Sequence, residues 1–61
     1  MKFKVLINWQ GEVLEFWTTT DVQSKALSNA ISQLAKKVGM RRGFVKLYVT
    51  DPGKRRWEVV R

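Results

Sequence analysis

TDVQSKALSNAISQLAKKVG, residues 20–39, decides how the remainder of the chain has to be arranged. Val22, Ala26, Leu27, Ala30, Ile31, Leu34, Ala35 and Val38 recur at three- and four-residue intervals. On a helix they form one apolar stripe, with Ser, Asn, Gln and Lys on the other side. Thr20 followed by Gln23 is a capping-box pattern at the start. At the far end Lys36 and Lys37 suit the negative pole of the helix dipole, and Gly39 can take the left-handed conformation that closes a helix. A helix with a single apolar stripe needs a surface to lie on, and the flanking segments predict strands that supply it.

Residues 2–9 place Phe3, Val5, Ile7 and Trp9 on one side and Lys2, Lys4, Leu6 and Asn8 on the other, which is strand periodicity. Gln10-Gly11 suits a two-residue turn, and residues 12–19 run back. Pairing Trp9 with Glu12 sets Ile7 against Leu14 and Val5 against Phe16, so the apolar sets share a face. Beyond the helix, Met40-Arg41-Arg42-Gly43 is a short basic connection. Residues 44–50 alternate with Val45, Leu47 and Val49 on one side and predict a third strand. Asp51-Pro52-Gly53-Lys54 is turn chemistry, and residues 55–61 return as a fourth strand. An odd-count loop sets Val49 against Trp57 and Leu47 against Val59, which calls for a bulge in this hairpin.

The expected fold is therefore α+β in the order ββαββ: a four-stranded antiparallel sheet, order 2-1-3-4, with one helix on one face. Parallel pairing of strands two and three is the alternative. The predicted core is Phe3, Val5, Ile7, Leu14, Phe16, Ala26, Leu27, Ala30, Ile31, Leu34, Val38, Val45, Leu47, Val49, Trp57 and Val59.

Sixty-one residues predict one small domain, which buries only about 60% of its unfolded surface and can gain stability from a second copy or a partner. No Cys and no His are present, so no disulfide or thiolate metal site exists and the usual acid-base side chain near neutral pH is missing. No glycine-rich phosphate loop or nucleophile-base pair stands out, and no cofactor is expected. Glu12 and Glu15 point to opposite faces of a strand, and Ser24, Ser28 and Ser32 read as the polar side of the helix. The chain is thus expected not to be an enzyme. The apolar run Val5-Leu6-Ile7 is too short for a leader or a membrane span, which predicts a soluble cytoplasmic domain.

Twelve Lys and Arg against five Asp and Glu leave a net charge of +7. Residues 1–24 set Lys2 and Lys4 against Glu12, Glu15 and Asp21, a net −1, whereas residues 25–61 set ten basic residues against Asp51 and Glu58, a net +8. Such a field suits nucleic acid, an anionic membrane surface or an acidic protein, as well as plain solubility. One cluster, Lys36, Lys37, Arg41 and Arg42, gathers where the helix ends, and another, Lys54, Arg55 and Arg56, sits at the second hairpin. A third strand between them would hold them roughly 20 Å apart, a span that two phosphate runs of one duplex can bridge. The helix-free face of the predicted sheet would carry Lys2, Lys4, Leu6, Asn8, Val13, Glu15, Trp17, Phe44, Lys46, Tyr48, Arg56, Glu58 and Val60. Trp17, Phe44 and Tyr48 interleaved with Lys4 and Lys46 match a base-stacking platform. The same face equally suits a homodimer interface or an acidic protein partner. The first expectation is a basic nucleic-acid-binding protein with little sequence specificity; the second is a protein-interaction module.

The strand, strand, helix, strand layout is similar to that of some small phage-encoded proteins that bind host machinery. That resemblance is topological and implies protein binding.

Overall fold

In a computed structural model that describes residues 1–60, five elements follow in the order β1 (Lys2–Trp9), β2 (Glu12–Thr19), α1 (Gln23–Val38), α2 (Arg42–Val49) and β3 (Trp57–Val60). The sheet has three antiparallel strands in the order β2-β1-β3, and the fold is ββααβ instead of four strands with one helix. Arg61, the last residue of the predicted fourth strand, lies outside the described residues.

The first hairpin forms as the alternation predicts. Trp9 pairs with Glu12, Ile7 with Leu14 and Val5 with Phe16. Gln10 and Gly11 both take positive φ, 51° and 87°, the left-handed pair that a tight hairpin turn requires, and the Gly11 N–H donates to Asn8 Oδ1 at 3.0 Å. Helix α1 also forms where its stripe predicts, and Gly39 closes it at φ 70°. Its start differs from the expected capping box. Val22 occupies the cap position in extended conformation with no side-chain cap, while the Thr20 N–H donates to the Met1 carbonyl and so finishes the sheet.

The main correction is at residues 42–49. They form a helix, not a strand, and the strand that flanks β1 is β3, which pairs Ile7 with Trp57 and Val5 with Val59. The last strand therefore takes the place expected for the third, and the odd-count hairpin with its bulge does not exist. The spacing of Val45 and Val49 explains the misreading. Four residues is a whole number of strand repeats and also about one helical turn, so both periods put these two on one face. Only Leu47, between them, separates the readings: on a strand it joins them, and on the helix it points away. Leu47 is 75% exposed and leaves the core, while Val45 and Val49 are fully buried.

Both helices lie on the β1 face that carries Phe3, Val5, Ile7 and Trp9, and these close one cluster with Phe16, Ala26, Ala30, Ile31, Leu34, Ala35, Val45 and Val49. Each large member contributes about 1.5–3 kcal/mol on burial. Leu14, Leu27, Val38, Trp57 and Val59 from the predicted core are half-buried at its margin, joined by Tyr48. Among the described residues no helix is long and apolar enough to cross a membrane.

Candidate nucleic-acid interface

The expected stacking platform is taken apart by α2. Trp17 remains on the open side of the sheet, 54% exposed, and Lys4 stands opposite it as the register predicts. The Lys2 and Lys4 ammonium groups sit 6.0 and 5.9 Å from the ring centroid, and the indole N–H donates to Glu15 Oε1 at 3.0 Å. Phe44 and Tyr48 are not beside it. Tyr48 lies on α2, on the helical side, with its ring 4.9 Å from Trp9 in an edge-on arrangement and its hydroxyl accepting from the Gln10 N–H at 3.2 Å. Phe44 is on the outer side of α2 and 56% exposed. Lys46 is on α2 as well, and exposed. One ring with two cations is left on the open sheet where three rings were expected.

Several of the expected phosphate ligands make contacts within the fold. The Arg56 guanidinium stacks 4.1 Å from the Tyr48 ring centroid, donates to the Tyr48 carbonyl at 2.8 Å and faces Asp51 Oδ2 at 3.5 Å. Its backbone carbonyl accepts from the Asn8 N–H at 2.7 Å, so one residue joins α2, β1 and the connection before β3. Arg55 lies over the Trp57 ring at 5.0 Å. Arg42 reaches across to α1, where Nε donates to Ser32 Oγ at 2.8 Å and Nη2 to Ser28 Oγ at 2.5 Å. Two of the serines that read as surface filling are thus acceptors for the neighbouring helix. Asp51 caps its own turn: the Gly53 N–H donates to its carboxylate at 2.9 Å, which together with Arg56 keeps the carboxyl below its ordinary value of 3.8 against a weaker desolvation effect.

The two basic clusters are not joined by a strand. Eight residues of helix span only about 12 Å, not the roughly 20 Å expected of an extended segment.

What the fold does gather is charge of one sign. Residues 22–50 contain Lys25, Lys36, Lys37, Arg41, Arg42 and Lys46 and not one carboxylate. That span comprises both helices, and both lie on the same side of the sheet. Glu12, Glu15 and Glu58 are on strands, while Asp21 and Asp51 stand in the connections at either end of the helical pair. Lys36, Lys37, Arg41 and Lys46 are exposed, and Lys25 makes a loose pair with Asp21 at 4.0 Å. Sequence reasoning put four of these cations in the helix-end cluster and Lys46 on a sheet face, and it assigned Lys25 to neither. The absence of acid from residue 22 to residue 50 was the signal that they belong to one layer.

A second feature was missed. Phe44 and Leu47 are exposed one turn apart on the outer side of α2, and Met40, in the connection just before the helix, is exposed as well. The topological likeness to phage proteins loses its basis, since the strand it placed after the helix is α2. Among the described residues no group of three or more His, Cys, Asp or Glu could hold a metal ion. No protein-family model, no curated protein and no solved structure matches the chain.

Proposed function

We propose that this chain is a small non-enzymatic protein that binds nucleic acid through the phosphate backbone, using the helical layer and not the sheet. The observation that carries the reading is the layer's six cations and no carboxylate, on a molecule with a principal extent of 27 Å. A polyanion laid on it meets no opposing charge, and counterion release then drives association. Lys36, Lys37, Arg41 and Lys46 are the contact residues, because among the described residues no hydrogen bond or ion pair restrains their side chains as Ser28 and Ser32 restrain that of Arg42. Backbone contacts position a duplex without reading it, so sequence preference is weak. The test is fluorescence anisotropy of a labelled duplex and a labelled single strand over a salt series. For four contacts the duplex affinity should fall with a log-log slope of about −4, and no binding at roughly 10 µM protein in low salt ends the reading.

The ridge of Met40, Phe44 and Leu47 favours a second reading, an acidic protein partner. Exposed apolar side chains one turn apart on a helix, as Phe44 and Leu47 are, suit a partner's apolar groove, and the cations beside them call for an acidic rim on that groove. Leu47→Lys separates the two: it leaves nucleic-acid affinity intact or raises it, and it removes binding to a protein that uses the ridge.

A further inference from the structure

The open side of the sheet carries its residues in rows across the three strands. One row is Trp17, Lys4 and Val60; the next is Glu15, Leu6 and Glu58. Two residues along a strand separate them, roughly 7 Å. Trp17 and Val13 are 54% and 64% exposed, and Leu6 and Val60 are half-buried, so apolar area is spread across the whole face. Lys2 and Lys4 stand against Glu15 and Glu58, with Arg55 and Arg56 at the margin beside Asn8 and Val13. A surface that is apolar in part and divided into a positive row and a negative row is complementary to its own copy. The helical layer is the reverse, since its like charges repel a second copy.

We propose that two copies associate through their open sheet faces about a two-fold axis that runs across the strands, between the Lys4 row and the Leu6 row. That axis sets each positive row over the other copy's negative row. Lys4 of one copy then stands over Leu6 of the other, flanked by Glu15 and Glu58 of that second copy, while Trp17 and Val60 close the sides. The alternative axis, parallel to the strands, superposes Lys4 on Lys4 and is disfavoured by repulsion. Two strands of eight residues offer a face of roughly 27 by 10 Å, which the four-residue β3 widens to about 14 Å over half its length. Over two copies this is on the order of 1,000 Å² of accessible surface, the low end for a specific interface, so the dimer dissociates in the micromolar range. The product has four layers, with helices outside and sheets inside, and a cationic surface facing each way. Two nucleic-acid segments can be bridged by it, a consequence that rests on the proposed function, whereas the association itself does not.

Sedimentation equilibrium of the full chain from about 5 µM to about 1 mM, without nucleic acid, is the test. The expected result is a monomer-dimer equilibrium that Trp17→Ala weakens at least about tenfold, with Leu47→Lys unaffected. Lys4→Glu should be monomeric, and so should the double variant Glu15→Lys, Glu58→Lys; mixing the two should restore a dimer, because each copy then meets the opposite sign. That mixing experiment separates an interface role from a folding defect, which circular dichroism of each variant checks independently. A wild-type chain that stays monomeric at about 1 mM, a dimer dissociated by Leu47→Lys and not by Trp17→Ala, or charge variants that fail to pair when mixed would overturn the proposal.

Discussion

Leu47 and Val49 stand two residues apart on α2, and the same substitution at each has an unlike consequence. Val49 is fully buried, so Val49→Ala removes packed atoms from the core and is expected to cost about 1–3 kcal/mol in urea denaturation. Leu47 projects into water, and Leu47→Ala is expected to change stability by no more than about 0.5 kcal/mol. A similar contrast holds for two neighbouring cations. Arg56→Ala loses the stack on Tyr48, the bond to the Tyr48 carbonyl and the pair with Asp51, together about 1–2 kcal/mol, while Lys54→Ala stays within about 0.5 kcal/mol. Asp51 adds a pH dependence. Its carboxyl is held below 3.8 in the fold, chiefly by the Gly53 N–H and secondarily by Arg56, so the ionised form is favoured only in the folded chain. Its contribution is therefore complete above pH ~4 and is lost as pH falls through the lowered value. The stability difference between wild type and Asp51→Asn should narrow on acidification below pH ~4, read from urea midpoints.

Helix α2 is the element that depends most on its surroundings. Eight residues are too few for an isolated helix, and Phe44, Val45, Tyr48 and Val49 all favour strands. It is held by Val45 and Val49 in the core, by Arg42 on the α1 serines, by Arg56 on the Tyr48 carbonyl and by the Tyr48 side chain against Trp9 and the Gln10 N–H. Gly43 lies in its first turn, and a Cβ placed there meets nothing within 4 Å. Gly43→Ala is expected to raise stability by about 0.5–1 kcal/mol by lowering the entropy of the unfolded chain, with an unchanged urea m-value as the check. The hairpin and α1 were legible without coordinates because Gln10-Gly11, Gly39 and long runs of consistent periodicity agree on one answer. In α2 local preference and tertiary environment disagree, and the environment prevails.

At the scale of the whole molecule, charge is segregated by layer. Replacing Lys36, Lys37 and Arg41 together with Gln should reduce the magnitude of the salt slope for duplex binding by about three, while replacing Lys2 and Lys4 should leave it unchanged. The seven-unit charge excess, the hairpin register and the position of α1 follow from residue order, since neighbours within a few positions settle them. Which segment would flank β1 did not follow. Residues 44–50 and residues 55–61 both carry strand periodicity, and only one of them can occupy the edge beside Val5 and Ile7. That competition is decided when the Trp57 segment pairs with β1 and the Val45 segment turns onto the core, a long-range outcome that no local window of sequence contains. Every site residue that was reassigned, from Tyr48 and Phe44 to Arg42 and Arg56, moved for this single reason.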